Sequence, residues 1–302
     1  MSLVTKSRKA LRTLEKALIR AWRAVLQKIT GKSEMRRMLE RHGGYSSALV
    51  HSIAQSIGSS SQLEPLGVFG KPFDISSVCS KIAEAKGIGD EDHPRLVWCL
   101  QVLNAVNTVH EKTQRMRQTK YDAEDPAHVA QLEALWASLK PGSRRTDGWE
   151  SLGFQNGERP ESDFRGMGLL GLHQLVFFAE ARNVEAQQIL SGSINPKRYY
   201  PFAAAGINIT AFTVSMLEQR RLDSCLYDAI VKYMPAGQLP EDEEMLVTAG
   251  FAAFNHIYGD EYVEFSRFWH ASNPESTMAF PGILKTIKQR SYSRFPRLMG
   301  EE

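Results

Sequence analysis

Cysteine is scarce in this 302-residue chain: Cys79, Cys99 and Cys225 form no CxxC pair and no ligand spacing. That excludes a disulfide scaffold and a structural zinc site, and it suits a reducing compartment. No HExxH segment, no GxSxG nucleophile turn and no alternating run of strand type occurs either, so zincin and α/β-hydrolase chemistry fall away. The first residues lack the unbroken apolar stretch and small-residue cleavage site of a secretory signal. The expected location is therefore the cytoplasm, peripheral on an intracellular membrane if the N-terminal segment engages one. What is present is ordinary: 42% hydrophobic and 24% charged residues, with a length at which roughly 75% of the unfolded chain's surface is buried on folding.

The net charge of +3 conceals an asymmetry. Residues 1–41 carry twelve Lys or Arg against Glu15, Glu34 and Glu40, a local balance of +9, which leaves the remainder near −6. A wholly basic nucleic-acid binder is excluded by that balance, and no nucleic-acid partner is expected. Within this segment Leu11, Leu14, Leu18, Trp22, Val25 and Ile29 recur every three or four residues. The spacing predicts an amphipathic helix over about 5–29 with a basic opposite face, ended by Gly31. Such a helix either docks its stripe on the protein body with its Lys and Arg in water, lies on an anionic membrane surface, or binds an acidic partner.

Helical periodicity continues along the chain. Helices are expected over 46–57, over 75–86 with Asp74 as N-cap and Gly87 as stop, from Pro94 toward Arg117, and from Asp125-Pro126 to Leu139. Further ones are expected at about 167–182, 184–190, 200–218, 222–233, 241–256, 259–270 and 278–289. Residues 144–163 show no period and read as an ordered loop. The uncharged run 199–217 is diluted by Pro201, Gly206, Asn208 and Thr210, so it reads as a core helix and not a membrane span. The expected fold is all-α, a single compact multi-helical domain over 75–290. It is preceded by a basic N-terminal region (1–43) and a short helix with linker (44–74), and followed by a tail (291–302).

Two apparent phosphate motifs fail on context. Gly166-Met167-Gly168-Leu169-Leu170-Gly171 matches GxGxxG, with Glu185 near the distance of a ribose-binding acid, but no hydrophobic strand precedes it. Gly31-Lys32-Ser33 lacks the upstream glycine of a phosphate loop and reads as a helix stop followed by an N-cap at Ser33. His110, His128, His173 and His256 form no ligand cluster, so neither a metal nor a cofactor is expected. Glu161 and Asp163 lie two apart, but no third group makes them an acid–base pair. Asp163 is expected instead to cap the following helix or to orient Arg165.

The densest run of unusual residues is Trp149-Glu150-Ser151-Leu152-Gly153-Phe154-Gln155, followed by Pro160-Glu161-Ser162-Asp163-Phe164-Arg165-Gly166-Met167-Gly168. It resembles the signature of the ELMO-domain family, W-x3-G-F-Q, a short spacer, then P-x-x-D-F-R-G-x-G. The resemblance extends over about 75–290. It implies a helical protein of one of two sorts: a GTPase-activating protein for a GTP-bound Arf or Arf-like small GTPase, or a non-catalytic scaffold or adaptor in small-GTPase signalling. In length the chain looks like the first, an activator and not an enzyme with its own substrate pocket.

On that reading Arg165 is the catalytic group. A permanently charged guanidinium fork can neutralise charge developing on the γ-phosphoryl and bridging oxygens, worth roughly 10³ to 10⁵ in rate when donated by a partner. The residues alone leave open whether Arg165 does this or forms an internal ion pair with Asp163 or Glu161. Asp163, Gln155, Gly166, Gly168 and Arg159 are expected to support it or to touch the partner, whereas Arg144 and Arg145 are expected to be solvated at the surface, with contact to the GTPase as the alternative. Gln155 is expected to orient Arg165 or a water, and Gly166 and Gly168 to allow close approach of a partner. Trp149, Gly153, Phe154, Pro160 and Phe164 are expected to shape the loop, with both phenylalanines buried. Four residues, Asn156-Gly157-Glu158-Arg159, separate Gln155 from Pro160 where activating relatives have three, a difference that could shift the arginine.

Overall fold

The structure, a computed structural model, describes residues 14, 17–18, 21–22, 25–42, 44–143, 148–234 and 242–297. Every regular element among the described residues is helical, as expected of an all-α chain. Helix α1 is continuous over 25–30 and also includes 14, 17–18 and 21–22. It is followed by α2 (Glu34–Arg41), α3 (Ser47–Gly58), α4 (Ile75–Lys86), α5 (His93–Gln118), α6 (Pro126–Leu139), α7 (Gly168–Ala181), α8 (Asn183–Ser193), α9 (Phe202–Glu218), α10 (Asp223–Val231), α11 (Glu243–Ser272) and α12 (Phe280–Arg294). The chain divides into two compact units, Met1–Asn104 with Met234–Glu241, and Ala105–Tyr233 with Asp242–Glu302.

In the first unit, short polar side chains set the helix starts by satisfying amides that have no partner within the helix. Ser33 Oγ accepts from Arg36 N at 3.2 Å, Ser46 Oγ from Leu49 N at 3.3 Å, and Asp74 Oδ1 from Ser77 N at 2.7 Å. Gly31 and Gly87 close the preceding helices with positive φ. The Gly31-Lys32-Ser33 stretch is thus a stop and a cap. Leu39, Leu49, Val50, Ile53, Ile82 and Leu96 fill the interior, where Tyr45 meets Trp98 edge-on at 5.3 Å.

In the second unit α9 is the central element. All but Asn208, Ala211, Ser215 and Glu218 of its residues are buried, so the uncharged run is a core helix. No helix among the described residues is long and apolar enough to cross a membrane. Two aromatic residues of α11 tie the start of α9 and the segment before it to the core through polar atoms: Tyr262 donates to Phe202 O at 2.6 Å, and Trp269 Nε1 to Arg198 O at 2.9 Å. Buried hydroxyl and indole groups need such partners.

Three expectations are corrected. Segments 241–256 and 259–270 are one helix, α11, because Gly259 does not break it. Its missing side chain instead leaves room for Phe178 and Arg182, which lie 3.2 and 3.0 Å from where a Cβ would stand. The loop 144–163 is in part regular: two 3-10 turns, Trp149–Leu152 and Pro160–Gly166, occupy its described portion. Such turns leave no 3.6-residue period to read. Helix α12 also continues past Gln289 to Arg294.

Gly206, inside α9, shows what close packing demands. A Cβ there would stand 2.5 Å from Leu175 Cδ2 and 2.8 Å from the Tyr258 hydroxyl. Gly206→Ala is therefore expected to lower unfolding free energy by about 1–3 kcal/mol in a denaturant titration, although alanine is the better helix former by about 1 kcal/mol.

Candidate functional site

The segment from Trp149 to Gly168 is held by a file of rings. Trp136 of α6 meets Trp149 at 5.4 Å, Trp149 meets Phe154 at 5.8 Å, and Phe154 meets Phe164 at 5.8 Å, each pair edge-to-face. Tyr121 continues the file at 6.3 Å from Phe164, and His128 lies 5.7 Å beyond Tyr121. Edge-to-face pairs add roughly 0.5–1.5 kcal/mol each beyond area burial. Trp149, Phe154, Pro160 and Phe164 are all buried. The Tyr121 hydroxyl is held above its ordinary pKa, first by burial and then by the charges of Glu161, Glu133 and Asp122, so it stays neutral.

Both ends of the segment are clamped where main chain meets main chain. Gly153, at φ +80°, has no room for a side chain, since a Cβ would stand 2.2 Å from Phe202 N. Its carbonyl accepts from Ala204 N at 3.2 Å. Gly168, at φ +53°, faces the end of α5: a Cβ would stand 2.4 Å from Arg117 O and 2.5 Å from Thr119 O. Leu169 N donates to Thr119 O at 2.9 Å. The amide-rich start of α7 thus abuts the carbonyl-rich end of α5, a favourable alignment of helix dipoles.

That arrangement disposes of the dinucleotide motif. The α7 amide that would greet a pyrophosphate is engaged by a carbonyl, and Glu185 is paired with Arg182, whose Nη1 also reaches Asp260 at 2.7 Å. It also corrects the expectation for Gly168: its open side is filled by α5, so it does not serve approach of a partner. Gly166 is exposed with nothing near its Cα on the side where a Cβ would project.

Between the clamps, Asp163 Oδ2 accepts from Gln155 N at 2.7 Å and closes the loop on itself. Asp163 therefore neither caps α7 nor holds Arg165. Gln155 is exposed, and it bonds Asp163 through its backbone, not through a side-chain amide reaching toward the arginine. Asn156 Oδ1 accepts from Glu158 N at 3.1 Å and Arg159 N at 2.9 Å, a side-chain-mimicked turn that takes up the four-residue spacer. Arg159 pairs with Glu161 at 3.3 Å and is largely exposed.

Arg165 is exposed at the last turn of the second 3-10 helix, where its Nε donates to Ser162 O at 2.8 Å. No described carboxylate lies within 4.0 Å of it, and both acids available for an internal pair are committed, Asp163 to Gln155 N and Glu161 to Arg159. The side chain is thus tethered at Nε to the main chain of its own turn, and the residue is exposed. Arg144 and Arg145 lie outside the described residues. Among the described residues no cluster of His, Cys, Asp or Glu could hold a metal ion.

Sequence reading missed Ser162, Asn156 and Tyr121. The Asn156-Gly157 dipeptide is a turn signal that could have found the second, whereas Ser162 acts through a carbonyl any residue supplies. Tyr121, distant in sequence, carries no local mark.

The ELMO/CED-12 family profile matches residues 111–284, more than half of the chain. ELMO domain-containing protein B of Dictyostelium discoideum is 30% identical over 285 residues, covering 90% of this chain and 93% of its own. ELMO domain-containing protein 2 of Homo sapiens is 30% identical over 265 residues, with coverage of 85% and 84%. ELMO domain-containing protein 1 of Bos taurus is 30% identical over 301 residues, with coverage of 91% and 87%. No solved structure matches the chain.

Removing the loop's internal acceptor should separate local order from global stability. In Asp163→Ala the Gln155 amide is expected to exchange its hydrogen faster, with a loss of about 1.5–3 kcal/mol if the bond is fully formed, and Asp163→Asn should retain part of it. Phe164→Ala, which opens the ring file, is expected to cost about 3–5 kcal/mol in the same denaturation assay.

Proposed function

The chain belongs to the ELMO/CED-12 family, and from that premise we propose that it is a GTPase-activating protein for an Arf or Arf-like small GTPase, donating Arg165 to the reaction. Membership supports a role in small-GTPase signalling. The observation that carries the finer reading is the state of Arg165: exposed, unpaired among the described residues, and tethered by Nε to Ser162 O at 2.8 Å on a turn clamped at both ends.

The chemistry follows from where charge develops. In phosphoryl transfer from GTP to water, the γ-phosphoryl and the β,γ-bridging oxygen gain negative charge as the bond to the leaving diphosphate lengthens. A guanidinium placed there stabilises the transition state more than the ground state, so it raises rate more than affinity. Holding Nε on the protein's own carbonyl leaves the two amino groups as the donors offered to phosphate, and fixes the stem before the partner arrives. Less ordering entropy then remains to be lost on engagement. The GTPase supplies the nucleotide site and the water, while this chain contributes the cation.

The test is single-turnover hydrolysis of GTP by a panel of Arf-family GTPases, with Rho and Ras members as controls, over a titration of this protein. At least one Arf-family member should be accelerated. Arg165→Ala and Arg165→Lys should both lose most of that acceleration, of the order 10³–10⁵ for a donated arginine, while keeping helical content and GTPase binding. Lysine keeps the charge but not the planar fork. A stable Arg165→Ala protein with full activity removes the assignment. Tight binding across the family without any change of rate puts a scaffold in its place.

A further inference from the structure

Helix α1 leaves its apolar stripe uncovered. Leu14, Leu18, Trp22 and Ile29 are 63%, 70%, 63% and 74% exposed, and Val25 is 44% exposed. These are the side chains that a helix docked on the protein body would bury, so the docking expectation for the stripe fails at every one of them. A patch of this length on one helix face has a use.

The surroundings of the stripe indicate which. Lys9, Arg12, Lys16, Arg20 and Arg23, the cations that the sequence spacing assigns to the opposite face, lie outside the described residues. Leu18, Trp22 and Leu26 also form one wall of an open cleft of about 510 Å³, whose other wall is Glu34, Arg37, Met38 and Arg41 of α2. Arg37 is braced by its own loop, with Nη1 donating to Lys32 O at 3.0 Å and Thr30 Oγ1 at 3.2 Å. Arg41, one turn further on, is exposed and has no described acid within 4.0 Å. Apolar side chains thus run along one face, and the cleft beside Leu18 and Trp22 carries the side chains of Arg37 and Arg41.

We infer that α1 and α2 form an interfacial anchor for a bilayer containing anionic lipid, with the apolar stripe in the acyl boundary and Arg37 and Arg41 at the phosphate headgroups. A helix in that position buries its apolar face about 5–10 Å deep and keeps its cations near the headgroup plane. The +9 balance of residues 1–41 complements the negative surface. An acidic protein would satisfy the arginines but would not offer continuous apolar depth to five large exposed side chains. The inference does not depend on Arg165.

The test is co-sedimentation of the full chain with vesicles of phosphatidylcholine alone or with phosphatidylserine added, at low and high salt, beside sedimentation velocity without lipid. The wild-type chain should bind the anionic vesicles, leave the neutral ones largely free, and release as salt shortens the screening length below about 8 Å. Leu18→Gln with Trp22→Gln should weaken binding on the order of tenfold or more. Arg37→Gln with Arg41→Gln should narrow the difference between the two vesicle types. Because these side chains are not core residues, all variants should keep wild-type thermal unfolding and Arg165-dependent hydrolysis in solution. Absence of anionic-vesicle binding, or binding indifferent to both double variants, overturns the inference. So does a lipid-free dimer dissolved by the Leu18/Trp22 change, which would assign the stripe to a second copy of the chain.

Discussion

Everything at the candidate site rests on two places where main chain touches main chain with no space for a side chain. Gly153 lies against the start of α9, and Gly168 against the carbonyls that end α5. Both have positive φ, which glycine adopts without strain and other residues rarely do, and both are crowded to distances no Cβ occupies. Conformation and space therefore impose the same residue twice. Between these clamps the chain has a fixed span to cross. The ring file from Trp136 to Tyr121 fixes how it crosses, because Trp136, Trp149, Phe154 and Phe164 lock one another edge-to-face and Tyr121 packs at a tilt on Phe164.

The clamps also explain how an arginine stays available in a segment rich in acids. Glu150, Glu158, Glu161 and Asp163 all lie within fifteen residues of Arg165. A flexible loop would let one of them collapse onto the guanidinium. Here Asp163 is turned inward onto Gln155 N, and Glu161 is held by Arg159. The arginine's Nε is taken by a carbonyl, which carries no net charge and so leaves the cation unneutralised. Charge is preserved by spending acids on other partners, and geometry by spending a backbone acceptor on the stem. Preorganisation of this kind lowers the entropy lost when the group engages a phosphate.

What could be read in the sequence was whatever a few neighbouring residues decide. Asp74 with Gly87, Asp125 before Pro126, and Ser33 after Gly31 mark helix ends by bonds to amides two or three residues away or by positive φ, and each stands where the sequence placed it. The burial of Phe154 and Phe164 was legible in their kind, and α9 in its lack of charge. What was not legible depended on distant partners. Gly259 reads locally as a stop, yet α11 runs through it because Phe178 and Arg182 of another segment fill its free side. The role of Asp163 could not be told from spacing, since its choice among Gln155 N, the α7 amides and Arg165 is settled by how the ring file folds the loop. The same limit applied to α1: a period of three and four announces a stripe but does not say what covers it.

The two proposed surfaces make opposite demands, and different residues meet them. A cation whose contribution falls chiefly in the transition state adds little to ground-state affinity, so an activator built around Arg165 gains rate without gaining much residence on its GTPase. Tight ground-state binding would add nothing to turnover once the GTPase is saturated, and it would slow release of the product complex. Encounter frequency has to come from elsewhere. An anchor on α1 and α2 that holds the chain at an anionic bilayer would raise the local concentration of any partner confined to the same surface, without adding a contact to the turn that carries Arg165. The apolar stripe lies in the first compact unit and Arg165 in the second, so the residues that would meet a bilayer and the residues that would meet a phosphate are not the same residues. Each can change without disturbing the other: the stripe is tolerant of any large apolar side chain, whereas the turn admits only glycine at its clamps.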